Sequence, residues 1–113
     1  MSIKAIKVTT DRKIIDIDLA DDTLTTLQDA VGGYIEAVDL SDRLTMWCNE
    51  EGKLIGLPHN TLAQHIWAAF FPYSPDRIVG NVVFIGGVDD DGNTVTLSYS
   101  DMLDIHAFLR QFI

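Results

Sequence analysis

The chain is short of cysteine, of positive charge and of long apolar runs, and each shortage excludes something. A single cysteine, Cys48, rules out an internal disulfide and makes a reducing cytoplasm the expected setting. No run of about 18 apolar residues occurs, and the N-terminus MSIKAIKVTTDRK has no apolar core followed by small residues. Neither a membrane-spanning segment nor a secretory leader is expected. Lys and Arg number 8 against 17 Asp and Glu, for a net charge of −9. The few bases are also unevenly placed. Residues 1–13 carry Lys4, Lys7, Arg12 and Lys13 against Asp11, a balance of +3, and the remaining hundred carry four bases and sixteen acids, a balance of −12. Nucleic-acid affinity comes chiefly from Lys and Arg displacing counterions at phosphates, so direct binding to DNA or RNA is disfavoured. A basic protein surface remains an eligible partner.

Apolar residues make up 47% of the chain and charged ones 22%, a balance that folds, and 113 residues suffice for a core without staples. No repeat, low-complexity tract or linker interrupts the sequence, so residues 1–113 read as one domain. IKAIKV (3–8) and KIIDIDL (13–19) read as strands of a hairpin around TTDR, the second alternating Ile15, Ile17, Leu19 with Asp16 and Asp18 and so having one wet face. Asp22 or Thr23 caps a helix with Leu24, Leu27, Ala30 and Val31 as its buried stripe, stopped by Gly32. YIEAVDL (34–40) and RLTMWC (43–48) form the next hairpin around Ser41-Asp42. The second of these strands meets a turn at NEEG and continues as KLIGL. Asn60 caps a helix over 61–70 whose core residues are Leu62, Ala63, Ile66, Trp67 and Phe70. After a loop bounded by Pro72 and Pro75, residues 78–85 read as an apolar strand, Asp89 to Asn93 as a hairpin turn and 94–97 as its partner. Ser98 or Ser100 caps a last helix with Met102, Ile105, Phe108, Leu109 and Phe112 on one face. Six or seven strands and three helices result, with connections after residues 8, 40, 48 and 88 too short for crossover helices. The expected class is α+β with a mostly antiparallel sheet.

Candidate chemistry is thin. Three histidines and one cysteine invite a zinc site, but His59 and His65 are six apart and Cys48 has no second cysteine, so no ligand spacing and no metal is predicted. The loop VDDDGN lacks two ligands of a calcium-binding loop and reads as an Asp-Gly turn. Cys48 sits in an apolar MWC run, where cysteine behaves as a small hydrophobe. No serine stands in a G-x-S-x-G setting, and the glycine pairs 32–33 and 86–87 lack the Lys-Ser or Lys-Thr of a phosphate loop. Glu36, Glu50 or Glu51 as general base of a hydrolase is the one enzymatic alternative; otherwise no enzyme and no cofactor is expected.

The succession LQDAVGGYIEAVDL, WCNEEGKLIGLPHN, DRIVGNVVFIGGVDDDGN and LSYSDM resembles the domain-of-unknown-function family 3846, from about Leu24 to the C-terminus. The resemblance rests on two motifs, VGGYIE and NEEGKLxGLPxN. It implies a small phage, plasmid or mobile-element protein of actinobacteria or clostridia, cytoplasmic and without an established activity.

Two functional readings compete. In the first, an acidic mobile-element protein of counter-defence character binds and blocks a host nucleic-acid-handling protein, steered by its acids, among them Asp21, Asp22, Asp89, Asp90 and Asp91. Phe71 and Tyr73 are its candidate partner-binding aromatics. A homodimer through an exposed strand edge or these aromatics is also compatible with the composition. In the second, a nucleotide signal is sequestered by Glu36, Asn49, Glu51, Lys53 and Asn60, with Lys53 on a phosphate and Trp47 or Tyr34 stacked on the base. Local grammar explains Gly52 as turn and Asn60 as cap, and leaves Glu50, Glu51 and Lys53 without a structural reason.

Overall fold

The computed structural model describes residues 3–19 and 23–113. Asp21 and Asp22, the latter one of the two expected caps of the first helix, lie outside the described residues. The described chain runs β1 (Lys4–Val8), β2 (Ile14–Asp18), α1 (Thr23–Val31), β3 (Ile35–Ser41), β4 (Leu44–Asn49), α2 (Thr61–Phe70), β5 (Val82–Ile85) and α3 (Tyr99–Arg110). All strand pairs are antiparallel in a five-stranded sheet of order β2-β1-β5-β4-β3. The α+β class and its antiparallel sheet are as expected. β3 and β2 form the two sheet edges, and β3 carries an irregularity between Asp39 and Ser41 that breaks the regularity of that edge.

Helices cover both faces of the sheet. Successive strand residues point to opposite sides, so β5 sends Val82 and Phe84 into a core with α2 and α3, and Val83 and Ile85 into a second core under α1. β4 divides in the same way, with Met46 and Cys48 toward α2 and Trp47 toward α1. Phe84 is fully buried at the centre, a side chain whose burial contributes about 2–3 kcal/mol.

Several local expectations need correction. KLIGL is not a strand: residues 50–56 form consecutive turns, with Ile55 donating to Glu51 and Leu57 to Gly52, because the chain leaves the end of β4 to reach the start of α2 rather than doubling back. The strand expected over 78–85 keeps only its last four residues. Val79 makes one bridge to His59, and Gly80 at φ +74° bends the chain before β5 begins. The partner strand at 94–97 is reduced to a bridge between Val88 and Thr94. Leu24 and Phe70 are exposed rather than core, and the turn of the second hairpin is Asp42-Arg43. Asp16 is exposed as expected and meets His106 of α3 at 2.7 Å, whereas Ile15, expected on the buried side of β2, is also exposed.

Candidate functional site

The two motifs meet, and most of their residues turn out to be wiring. Gly32, at φ +80°, ends α1 in a conformation that glycine tolerates best. The next residue must be small for another reason: a Cβ on Gly33 would lie 2.8 Å from Nδ2 of Asn49. Asn49 needs that space, because its Nδ2 donates to the carbonyl of Val31 at 3.3 Å while its Oδ1 accepts from the amide of Glu51 at 2.8 Å. The Glu50 amide donates to the Tyr34 carbonyl at 2.9 Å. Farther along, Leu57 packs against Gly80 so closely that a Cβ there would lie 2.8 Å from it.

Asn60 is the most committed of these side chains. It is 0% exposed, and its Oδ1 accepts from Ala63 at 3.0 Å as the cap of α2. Its Nδ2 donates to Val8 at 3.0 Å and to Gly80 at 2.9 Å, tying β1 to the approach of β5. Both amide donors are used and no solvent reaches the side chain, so it is not open to a ligand.

What remains is split between surfaces. Glu36, Glu50 and Lys53 line a cleft of about 130 Å³ together with Cys48, Asp76 and Arg77. Lys53 is engaged by Asp76, and this hydrogen-bonded partner holds the Asp76 carboxyl below its usual range. Burial, assisted by the nearby Glu36 carboxylate, pushes the Cys48 thiol up to about 11, so at neutral pH it is a thiol and a poor nucleophile. Trp47 is on the opposite side of the sheet, under α1, and is not available to stack on anything that Lys53 holds. The tryptophan that does line the cleft is Trp67 of α2, 4.4 Å from the ring of Phe71. Glu51 is exposed outside the cleft, and Tyr34, 67% exposed, borders a shallow depression beside Gly32 and Gly33. Of the expected cluster, Glu36, Asn49 and Lys53 come together at this cleft, and Glu51, Asn60 and Trp47 do not line it. Sequence reasoning missed Asp76 and Arg77, which lie more than twenty residues from Lys53 and are joined to it only by the fold. Among the described residues no three His, Cys, Asp or Glu side chains converge on a common point.

A different surface is built at the far end of the sheet. Antiparallel pairing puts the β3–β4 turn, Asp42-Arg43, beside the end of β5, where Gly87 is so close that a Cβ would lie 3.1 Å from the Asp42 carbonyl. Gly87 leads into the hairpin carrying Asp89, Asp90 and Asp91. Asp89 caps that turn by accepting from Asp91 at 3.0 Å and from Asn93 at 2.8 Å. Arg43 in turn reaches Asp101 at 3.0 Å in the first turn of α3, with Asp104 one turn on. The Asp42-Arg43 turn, the approach to the Asp89–Asp91 hairpin and the first turns of α3 thus share one end of the sheet, where Lys4 also stands, its amide donating to Thr96 and its carbonyl accepting from Leu97. Between α2, α3 and the β3–β4 turn opens a groove of about 280 Å³ with an apolar floor that includes Leu44, Ala69, Phe70 and Phe108, and with Asp101 and Asp104 at its rim. Phe71 and Tyr73 follow directly from α2; Tyr73 is 97% exposed. The groove was not anticipated, although Asp101 and Asp104 at i and i+3 beside the apolar face of α3 were its available signal.

No helix among the described residues is long and apolar enough to cross a membrane. No curated protein and no solved structure matches the chain. A family model does match, from residue 3 to residue 112, a span holding every strand and helix described above, and the chain accordingly belongs to DUF3846, a domain of unknown function.

Proposed function

We propose that the protein works by binding, presenting its acidic end to a basic surface of another protein. The observation that carries this reading is the pair Asp101 and Asp104 at the rim of an apolar groove, with Asp42 in the adjoining β3–β4 turn and Gly87, which leads into the Asp89–Asp91 hairpin, packed against that turn. Acids scattered through turns need no function. Acids at the rim of exposed apolar surface, with further acids in neighbouring turns, make a patch able to steer and then hold a basic partner. The partner class that fits is a host nucleic-acid-handling protein in the cytoplasm, whose own groove is basic, and the role that fits the family's mobile-element context is its inhibition. A non-catalytic role is supported by Asn49 and Asn60, whose side chains bond the main chain, and by Lys53, which pairs with Asp76.

The test is capture from host cells with tagged protein, comparing wild type with a variant in which Asp89, Asp90, Asp91 and Asp104 are Asn. Basic nucleic-acid-binding proteins should be retained by the wild type, released by added DNA, and lost in the variant and at about 0.5 M salt, where charges are screened beyond roughly 4 Å. Equal capture by the variant at high salt refutes the reading.

A second reading rests on the convergence of Lys53 and Arg77 with Glu36 and Glu50 in the smaller cleft. A nucleotide held there would raise the melting temperature, and Arg77→Ala would remove that rise; no shift with any nucleotide ends it.

A further inference from the structure

The acidic end accounts for attraction at a distance and leaves open what holds a partner once it arrives. The groove between α2 and α3 has the shape for that. Its volume of about 280 Å³ falls at or below the roughly 300–1,000 Å³ usual for small-molecule sites, and suits one or two side chains better than a cofactor. The floor is apolar, with Ile66 and Ile105 buried beneath it and Ala69 and Phe70 exposed along it. Ala69 matters by its smallness, since it leaves the groove open where a larger residue would close it. At the rim, Asp101 is already covered by Arg43, whereas Asp104 is exposed and makes no ion pair among the described residues. Arg43 lies on Asp101 with most of its side chain in solvent, the position a partner's own arginine would take.

We propose that this groove is an anchor pocket for a partner segment that presents one aromatic or leucine-sized side chain flanked within a turn by Arg or Lys. The apolar side chain enters between Ala69, Phe70 and Phe108, and the flanking cations meet Asp104 and displace Arg43 from Asp101. Charge complementarity selects this occupant: an acidic segment would meet both rim carboxylates, and a purely basic one would leave the floor uncovered. This inference rests on the binding function proposed above and adds to it a specific chemistry of recognition.

The probes are two fluorescein-labelled peptides, Lys-Arg-Lys-Arg-Phe-Arg-Lys-Arg-Lys and its twin with Ser in place of Phe, titrated by fluorescence anisotropy at low and moderate salt. Both should bind in a salt-dependent way, with the Phe peptide about tenfold tighter, the effect of burying one aromatic ring in a pocket that the free protein leaves wet. Ala69→Trp, which fills the groove from an exposed helical position without changing charge, should bring the Phe peptide down to the affinity of the Ser peptide. Asp104→Asn should weaken both by a similar, smaller factor. In the wild type, amide resonances of residues 66–70 and 104–108 should shift with the Phe peptide and much less with its twin. Equal affinities for the two peptides, or an advantage for Phe that survives Ala69→Trp, overturn the anchor pocket while leaving electrostatic docking in place. Failure of either peptide to bind at low salt overturns both.

Discussion

Replacing Asn60 by Ala should be among the most damaging single changes outside the apolar core. The substitution removes the N-cap of α2, a loss of about 1 kcal/mol. It also strips the carbonyls of Val8 and Gly80 of a buried donor, at about 1–2 kcal/mol each when no replacement partner reaches them. The sum is about 3–5 kcal/mol, a large share of the roughly 5–15 kcal/mol that holds a domain folded. Urea denaturation followed by circular dichroism would measure it, with the slope of the transition unchanged if only the native state is weakened. Two further variants divide the loss. Asn60→Ser keeps an oxygen at the cap and should recover about 1 kcal/mol relative to Ala. Asn60→Asp keeps the cap but places a carboxylate where no solvent reaches, facing two carbonyls, and should be no better than Ala at neutral pH. If Ala costs less than about 1.5 kcal/mol, or Ser is no more stable than Ala, the assignment of Asn60 as the joint between β1, α2 and the approach to β5 is wrong.

The remaining structural expectations concern the meeting of the two motifs and the cysteine. Gly33→Ala should cost about 1–3 kcal/mol by crowding Asn49, and the loss should shrink in an Asn49→Ala background, giving a coupling of at least about 0.5 kcal/mol in a double-mutant cycle; strict additivity would contradict the contact. With its thiol held near 11, Cys48 should react with iodoacetamide at pH 8 roughly a hundredfold more slowly than free cysteine and speed up steeply only as the pH nears 11; a rate like that of free cysteine would contradict its burial beside Glu36.

How far the sequence reveals this structure depends on the kind of signal. Elements announced by local grammar stand where expected: the β1–β2 hairpin, Gly32 as the stop of α1, Asn60 as cap of α2 and Ser98 as cap of α3. Which face a strand residue takes was not legible in β4, because helices cover both sides of the sheet and the alternation that marks a half-wet strand disappears. Trp47, expected to stack beside Lys53, therefore lies on the α1 side, and Trp67, expected in the core, lines the Lys53 cleft instead. KLIGL reads as a strand by composition, and its exposed Leu54 and Ile55 show tertiary connection overriding propensity. Lys53 acquires its partner, Asp76, across 23 residues, and the acidic end gathers acids from residues 42, 89 to 91, and 101 to 104. Such convergence is a property of topology, and no window along the chain contains it. The fold also changes what NEEGKLIGLPHN means: Asn49, Leu57 and Asn60 are joints between elements, and Glu50 and Lys53 line a polar cleft with Glu36, Asn49, Asp76 and Arg77.

The central claim is that binding occurs at the acidic end and its groove, and that the motif region is architecture. Hydrogen exchange of the protein with and without its captured partner tests this most directly. Protection is expected to rise at residues 41–44, 66–70 and 101–108 and to stay level at 49–60. Protection confined to 49–60, with the groove unchanged, would contradict the account.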